Sequence, residues 1–241
     1  LMKFIAIITA KKKSNRFPNK NLTNFRGNTL LEHAIITAKK SKYLSKVFVS
    51  TDSMRIRKIA LNHKLPDLKI RSKKYAGRKA STHSVILHEI KKIQYDFDYL
   101  VILQPTSPLR TTSDINKACK TILRDKEADS LVSCSKIPFE FEPKKIMTYE
   151  KKYLKFFSFL GNMINNKKFL NFSKNKLSLD LIRSEKKKKY FFRNGAIYIV
   201  KKKNIKNYIV GGKILNFEMP FSRSADINYK EDLDLILKMK K

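Results

Sequence analysis

The sequence FIAIITAKKKSNRFPNKN, residues 4–21, joins an apolar, β-favouring run to a loop crowded with cations and amides. The run over residues 4–8 predicts a buried strand. The carboxyl end of such a strand is where an open α/β sheet usually binds an anionic ligand. The loop has no glycine, so it is neither a Walker A loop nor a G-x-G-x-x-G turn. It would hold phosphate mainly with side-chain charge. The alternative is a solvated, lysine-rich turn behind a core strand.

Charge is the unusual feature of the composition. The 241 residues include 54 Lys and Arg against 20 Asp and Glu, a net charge of +34, while the hydrophobic fraction of 42% is that of a folded globular protein. Such a balance raises nucleic acid or an anionic membrane surface as a partner. The lysines are spread along the whole chain among many Asn and Ile residues, which favours codon bias as their origin. Since no nucleic-acid-binding module is recognised, we do not expect nucleic acid as the main partner.

Strand and helix patterns alternate over the first 135 residues. Apolar residues recur with helical spacing over 29–41, 53–63 and 82–95, and Asn28 or Thr29 is the expected cap of the first helix. Apolar runs over 46–50, 99–103 and 131–135 predict strands. Thr112, Ser113 and Asp114 predict the start of a fourth helix. This order indicates an α/β fold with a mainly parallel, three-layer sheet.

The pattern loosens over residues 138–189, where phenylalanines stand among lysines without a clear period. We interpret this segment as an excursion from a single domain spanning 1–241, with either an antiparallel core or an apolar surface that pairs with a second subunit. Further strands are predicted over 194–200 and 213–217. A final helix follows Asn228, with Leu233, Leu235, Ile236 and Leu237 available for its buried side.

The cysteines and the lack of targeting patterns favour the cytoplasm. Cys119 and Cys134 have no metal-ligand spacing, so we expect both in the core of a protein from a reducing compartment. No apolar run reaches the roughly 18 residues that span a bilayer. The N-terminal apolar run is too short for a signal sequence, and the lysines follow it. We therefore expect no membrane contact.

Five segments of the chain occur together in an informative order: IAIITAKKKSNRFPNKN, VFVSTD, LVILQPTSPLR, NGAIYIV and RSADI. With them the chain resembles the acylneuraminate cytidylyltransferases, which make CMP-sialic acid and related CMP sugars, over nearly its whole length. The resemblance implies a Rossmann-like nucleotidyltransferase fold with a mixed, mainly parallel sheet and a small dimerisation excursion. It also implies transfer of CMP from CTP to a 2-keto sugar acid, release of pyrophosphate, Mg²⁺ as cofactor and a homodimer.

The resemblance assigns roles to individual positions of this sequence. The catalytic positions are Lys11, Arg16, Lys20 and Asp226. The nucleotide-binding positions are Ala10, Lys11, Ser14, Asn21, Arg71, Ala80, Ser81 and Thr82. The substrate-binding positions are Gln104, Thr106, Ser107, Arg110, Arg193, Asn194, Gly195 and Tyr198. The metal positions are Asp226 and Asn228.

The chain departs from the family pattern at several of these positions. Lys11 replaces the usual Arg, which keeps the charge but loses the two-pronged fork to phosphate. Asn228 replaces the second metal aspartate, and Arg78 falls where an acidic residue is usual. Phe192 and Arg193 stand at Arg-Pro, which displaces the arginine expected to hold the sugar carboxylate. These changes concern the sugar, the metal and the rate rather than the fold.

The implied reaction requires positioning and charge neutralisation. The anomeric hydroxyl of the sugar attacks the α-phosphorus of CTP in line, and pyrophosphate leaves. Cationic side chains of the first loop suit the charge that builds on the phosphate oxygens, although each also fits a solvent-facing position. Magnesium prefers oxygen ligands, so Asp226 offers a carboxylate and Asn228 a carbonyl. The alternative for Asp226 is a helix cap, and Asp52 is a further polar candidate or a cap.

Two other hypotheses stay open. The same reaction on pseudaminate, legionaminate or another 2-keto sugar acid fits the changed residues at Phe192 and Arg193. A catalytically degenerate relative that binds nucleotides or polyanions fits the combined substitutions at Lys11, Arg78, Phe192 and Asn228.

Overall fold

The computed structural model describes residues 2–77, 80–142, 146–150, 153–156 and 189–238. Within them the strands are β1 Phe4–Thr9, β2 Asn24–Phe25, β3 Asn28–Thr29, β4 Leu44–Ser50, β5 Tyr99–Leu103, β6 Ser130–Lys136, β7 Met147–Glu150, β8 Tyr153–Phe156, β9 Phe191–Lys201 and β10 Ile214–Glu218. The α-helices are α1 Leu30–Lys39, α2 Met54–Asn62, α3 Thr82–Ile90, α4 Thr112–Arg124 and α5 Lys230–Lys238. The chain divides into two compact units, Leu1–Ser135 with Arg193–Lys241, and Lys136–Phe192.

Six strands form one mixed sheet in the order β10-β6-β9-β5-β1-β4. Strand β1 runs parallel to both neighbours, with Ile7 beside Phe48 of β4 and Ile102 of β5. Strand β10 is parallel to β6, whereas β9 is antiparallel to β5, with Leu103 opposite Ile197. The carboxyl ends of β1, β4 and β5 therefore meet the beginning of β9 at one edge of the sheet. The predicted α/β fold with a mainly parallel mixed sheet is confirmed.

Helices cover both faces of the sheet because its central strands are apolar on both. In β1, Phe4, Ala6 and Ile8 belong to a core cluster shared with α1, α2 and α4. The alternate residues Ile5 and Ile7 belong to a second cluster that includes Ile86 of α3. Successive strand residues point to opposite faces, so the near-continuous apolar run in β1 indicates a three-layer fold.

Local hydrogen bonds set the helix boundaries. Thr29, one of the two residues predicted to cap the first helix, caps α1 in a capping box with Glu32. Helix α4 has the same device one residue earlier than expected, since Thr111 is the cap and Asp114 its partner. Helix α3 ends at Ile90, before the predicted end at 95, and Ile93 packs on the core from the turn that follows.

Helix α5 shows where apolar residues alone mislead. Leu233 and Ile236 are buried, but Leu235 is 66% and Leu237 44% exposed, so the prediction for the latter two is wrong. Residues three apart share a helix face, whereas those at 235 and 237 turn away from it. Cys119 and Cys134 are both buried and free, as expected of core residues. No α-helix in the described part of the chain is long and apolar enough to span a bilayer.

The unit over Lys136–Phe192 is described in part. It contains a 3₁₀ turn over Phe139–Phe141 and an antiparallel hairpin of β7 and β8, with Met147 opposite Phe156. Most of the predicted excursion over 138–189 lies outside the described residues, so its role in dimerisation stays a prediction, as does the interpretation of 1–241 as one domain.

Candidate active site

A cavity of about 200 Å³ lies at the sheet edge where β1 and β5 end. Its lining is drawn from the loop after β1, from the connection before α3 and from the turn after β5. The predicted site residues in the lining are Lys11, Lys20, Asn21, Arg71, Ala80, Thr82, Gln104 and Thr106. The lining also includes Thr9, Tyr75, Ala76, Gly77, Val85 and Pro105, which the sequence did not single out. Five of the eight predicted nucleotide-binding residues thus line this one cavity.

Backbone hydrogen bonds fix the cationic loop after β1. Ala10 is fully buried, and its N–H donates to the Ser50 carbonyl at 2.9 Å. Asp52 accepts a hydrogen bond from the backbone N–H of Lys12 at 2.6 Å, so this candidate polar contact anchors the loop. The Asn21 side-chain amide donates to the Lys11 carbonyl at 2.9 Å. Ala10 and Asn21 therefore shape the loop, and Asn21 also faces the cavity.

Lys20 brings the predicted catalytic charges together. Its Nζ donates to the Ile227 carbonyl at 2.7 Å, which ties the first loop to the segment that carries Asp226. Burial lowers the pKa of Lys20; Asp226 opposes this shift, while Arg16 and Lys11 reinforce it. Arg16 is exposed and lies 5.4 Å from the Tyr229 ring centroid. Two other cations, Arg16 and Lys11, and two carboxylates, Asp226 and Asp232, thus act on the Lys20 ammonium.

Ser14 takes a local role, since its hydroxyl accepts the Phe17 N–H at 3.4 Å. Ser81 likewise caps α3 by accepting the Ser84 N–H at 3.0 Å. Neither is among the described residues that line the cavity, although each adjoins or shapes a loop that does. The positions of Ser14 and Ser81 are those of turn and cap residues.

Arg71 is buried beside the cavity rather than extended into solvent. Its guanidinium donates to the Ser50 hydroxyl at 3.0 Å and to the Ser50 carbonyl at 2.6 Å. Burial lowers its pKa, against the opposing charges of Glu89 and Asp52. Tyr75, which follows in the same connection, stacks on His88 with ring centroids 4.2 Å apart. The sequence signal for this part of the cavity lining was an aromatic residue, Tyr75, two positions before Gly77.

The turn after β5 divides its predicted substrate contacts into two groups. Gln104 and Thr106 line the cavity, whereas Ser107 and Arg110 are 2% and 3% exposed. Arg110 Nη1 donates to the Gln104 carbonyl at 3.1 Å and to the Ala196 carbonyl at 2.9 Å. Burial lowers the pKa of Arg110 to about 10. Ser107 and Arg110 lie behind the turn, and Arg110 braces it against β9.

Asp226 and Gly195 are not among the described residues that line this cavity, but both lie close to Gln104, which does. Gly195 has φ +75°, and a Cβ there would lie 3.5 Å from Gln104 Oε1 and 3.8 Å from Asp226 Oδ2. Asn228 donates its amide to Asp226 Oδ2 at 2.9 Å, while Oδ1 is buried without a hydrogen-bond partner in the described structure. Asp232, in the first turn of α5, accepts the backbone N–H groups of Asn228 and Tyr229 just before the helix, whereas neither carboxylate oxygen of Asp226 accepts an N–H of α5 among the described hydrogen bonds. The alternative interpretation of Asp226 as a helix cap is therefore wrong.

The donor set around Asp226 fits a magnesium ion held mainly by a nucleotide. In the described residues no group of three His, Cys, Asp or Glu side chains could hold a metal. Mg²⁺ commonly takes only one or two protein carboxylates and completes its shell with phosphate oxygens and water. The unpaired, buried Oδ1 of Asp226 is a ligand atom of the right kind. Asp232 lies nearby, and its Oδ2 accepts two backbone N–H groups at the start of α5.

A second cavity of about 340 Å³ shares Thr82 and Gln104 with the first. Arg193 and Tyr198 of β9 line it, as do His83 and the segment 207–210. Burial raises the pKa of Tyr198, so its hydroxyl stays protonated at neutral pH. Three predicted sugar-side residues, Gln104, Arg193 and Tyr198, therefore meet here. The sequence analysis did not identify residues 207–210, because they reach this cavity only through the path that the chain takes after β9.

Comparison with known proteins places this geometry in context. Residues 5–240 match the family model described as Cytidylyltransferase. A solved structure of CMP:2-keto-3-deoxy-manno-octonic acid synthetase complexed with CTP aligns with a TM-score of 0.67 and 16% identity, covering 98% of this chain and 97% of that one. At that identity the likeness concerns the fold.

Three curated relatives are named for sugar-acid activation. The chain is 31% identical over 150 residues to a Helicobacter pylori protein named pseudaminic acid cytidylyltransferase and UDP-2,4-diacetamido-2,4,6-trideoxy-beta-L-altropyranose hydrolase, covering 62% of this chain and 29% of that protein. It is 28% identical to CMP-N,N'-diacetyllegionaminic acid synthase of Legionella pneumophila, covering 85% and 80%. It is 28% identical to N-acylneuraminate cytidylyltransferase of Escherichia coli, covering 98% of this chain and 51% of that protein. The chain thus spans about half or less of two of these relatives.

Proposed function

The chain belongs to the cytidylyltransferase family, and on that premise we propose that it transfers CMP from CTP to a sialic-acid-like 2-keto sugar acid and releases pyrophosphate. The observation that carries the proposal is the pair of adjoining cavities. One is lined by Lys11, Lys20 and Arg71, and the other by Arg193. A triphosphate and a sugar carboxylate are both anionic, so each cavity offers charge of the required sign. Gln104, common to both, lies where the two substrates would meet.

The protein's part in this reaction is to position and to neutralise. Lys11, Arg16 and Lys20 would hold the triphosphate and offset the charge that develops as pyrophosphate leaves. Gln104 and Thr106 would orient the sugar hydroxyl towards the α-phosphorus. An oriented encounter of this kind supplies a large share of the rate enhancement of transferases that form no covalent intermediate.

Asp226, with Asn228, would hold Mg²⁺ in this proposal. When bound, the ion would offset negative charge on the phosphate oxygens. The hydrogen bond from Asn228 to Asp226 Oδ2 leaves Oδ1 as the free carboxylate oxygen. Asn228 therefore supports the carboxylate in the position where the family pattern has a second aspartate.

The sugar is the open part of the proposal. Relatives of this chain are named for N-acylneuraminate, N,N'-diacetyllegionaminate and pseudaminate. Arg193 is exposed and lines the second cavity, so it is the side chain that we assign to the sugar carboxylate. The same reaction on pseudaminate or legionaminate is the alternative, and turnover of N-acetylneuraminate equal to that of those sugars would count against it.

Pyrophosphate release from CTP and Mg²⁺, measured over a panel of eight- and nine-carbon 2-keto sugar acids, tests the proposal. We expect release that depends on one sugar and falls sharply in Asp226→Ala. CTP binding without turnover across the panel would instead support a catalytically degenerate relative. In that case Asn228→Asp is the next variant, since it restores the family's second carboxylate.

We also propose a homodimer and a cytoplasmic location. The aromatic-rich sequence over 138–189 supports the first, and light scattering on the purified protein tests it. The two buried, free cysteines support the second, since unpaired thiols are usual in a reducing compartment. Microscopy of the tagged protein in its native cell would show whether it is found elsewhere.

A further inference from the structure

We infer that Asn194, together with Ser133 and Ser224, is a positioning residue for the Asp226 carboxylate and not a contact to the sugar. The inference rests on the proposed function, in which Asp226 faces the metal-bound triphosphate. It assigns a new role to a residue that the sequence resemblance places on the sugar side.

Both ends of the Asn194 amide are engaged within the protein. Asn194 is 2% exposed, and its Oδ1 accepts the Ser133 hydroxyl at 2.6 Å and the Ala196 N–H at 3.2 Å. Its Nδ2 donates to the Ser224 hydroxyl at 2.9 Å. Asn194 is not among the described residues that line either cavity. Oδ1 accepts two hydrogen bonds, Nδ2 donates one, and the residue is almost fully buried, so the side chain presents no exposed polar group to a sugar.

The direction of each hydrogen bond in the network formed by Ser133, Asn194 and Ser224 is fixed. The Ile197 N–H donates to the Ser133 hydroxyl at 2.8 Å, so the Ser133 proton goes to Asn194 Oδ1. The Ala196 N–H can only donate, which excludes the flipped amide. The Ser224 proton goes onward to the Pro220 carbonyl at 2.9 Å. Removal of one of these side chains leaves a buried polar group unpaired, so the hydrogen-bond network holds its geometry as a unit.

The chain of hydrogen bonds ends on the segment that carries Asp226. Ser224 closes the 3₁₀ turn Phe221–Arg223 and lies two residues before Asp226. On the other side, Gly195 follows Asn194 directly, and a hypothetical Cβ at Gly195 would lie 3.8 Å from both Cγ and Oδ2 of Asp226. The Asn194 side chain therefore positions both the Gly195 backbone and the segment that carries Asp226.

A second tie keeps the segment folded when the first is removed. The Ile227 N–H donates to the Thr106 carbonyl at 2.8 Å. Loss of the Ser224 hydroxyl should therefore let Asp226 shift without unfolding the turn. Residues that orient metal ligands through hydrogen bonds typically change metal affinity by about 10- to 100-fold when they are mutated.

The test compares Ser224→Ala, Ser224→Thr and the control Ser41→Ala. Ser41 is 6% exposed against 5% for Ser224, and its hydroxyl donates to Asn116 Oδ1 at 2.7 Å, so its removal costs a comparable buried hydrogen bond. CTP binding is measured by calorimetry over a range of Mg²⁺ concentrations, with the Tm of each variant. We expect Ser224→Ala to raise the half-saturating Mg²⁺ concentration about tenfold. Ser224→Thr should restore it, and Ser41→Ala should lower the Tm alone.

The outcomes separate this inference from the function on which it rests. Wild-type protein whose CTP binding depends on Mg²⁺, with the same dependence in Ser224→Ala, would overturn the positioning role and leave the proposed function intact. Wild-type protein that binds CTP without regard to Mg²⁺, or does not bind it, would overturn the metal role of Asp226 and the inference with it. Asn194→Asp is the second variant, because it keeps the acceptor but loses the donor to Ser224, and it should repeat the Ser224→Ala result.

Discussion

Replacement of Gly195 by alanine separates the cost of backbone strain from the cost of filling the site. Gly195 has φ +75° and Gly27 has φ +91°, both in the left-handed region. A non-glycine residue there costs about 1–2 kcal/mol. For a chain of this size each kcal/mol lowers the Tm by about 2–4 °C, so Gly195→Ala and Gly27→Ala should each lose roughly 2–8 °C.

The two variants should differ in activity because their surroundings differ. A Cβ at Gly27 meets nothing within 4 Å. At Gly195 it would lie 3.5 Å from Gln104 Oε1 and 3.8 Å from Asp226 Oδ2, an ordinary contact distance that leaves no room for a ligand atom between them. A displacement of about 1 Å in a reacting group can cost 100-fold in rate. We therefore expect kcat/KM to fall about 10- to 100-fold in Gly195→Ala alone.

The assay is continuous pyrophosphate release at saturating Mg²⁺, paired with thermal unfolding of the same samples. The prediction concerns the difference between two variants with matched strain. If Gly195→Ala kept the kcat/KM of Gly27→Ala, Gly195, Gln104 and Asp226 would not border the reacting groups, and the assignment of this edge as the site would be wrong.

Three further predictions follow from the charges and thiols. Burial lowers the pKa of Lys20, so CTP affinity should fall as pH rises through that lowered value, whereas Lys20→Arg should remain flat over the same range. Burial acts to raise the pKa of Asp114, but hydrogen bonds from Arg223 and Thr111 lower it overall; stability from this carboxylate is present at neutral pH and lost as pH falls through the folded pKa, so Arg223→Ala should move acid unfolding to higher pH. Burial raises the pKa of Cys119 to about 12, so a thiol reagent at pH near 8 should label it only after unfolding.

Each of these has a plain contrary result. Parallel pH profiles for wild type and Lys20→Arg would show that Lys20 keeps its proton throughout. An unchanged acid midpoint in Arg223→Ala would mean that Thr111 alone holds Asp114 ionised. Rapid labelling of Cys119 in the native state would contradict its burial between α4 and the sheet.

The elements of the fold could be predicted where the local apolar pattern is enough to determine them. Strand β5 occupies Tyr99–Leu103, the apolar run that predicts it. The prediction failed at helix ends and faces, since these depend on tertiary contacts. Ile93 was predicted to lie in a helix, but it packs against the core from the turn after α3. Leu235 was predicted to be buried, but it is exposed to solvent. Neither outcome follows from the local pattern.

The site was predictable as a set of motifs and not as a set of contacts. The Lys20 side chain donates to the carbonyl of Ile227, next to Asp226, and this contact over 207 positions cannot be foreseen from the sequence without the resemblance. Arg110 and Ser107 share a motif with Gln104, yet the turn directs them behind the cavity wall. Tyr75 lines the cavity from the connection between α2 and α3, where its ring stacks on His88 of α3. Sequence motifs identify the neighbourhood, and the backbone path decides which side chains face the ligand.

The central claim is that this protein joins CMP to a sugar acid, and the most direct measurement is phosphorus NMR of the purified protein with CTP, Mg²⁺ and a panel of 2-keto sugar acids. The account predicts a new phosphodiester signal with one sugar, growing in step with pyrophosphate, and its loss in Asp226→Ala. Absence of the phosphodiester signal with every sugar, while CTP remains bound and intact, would contradict it.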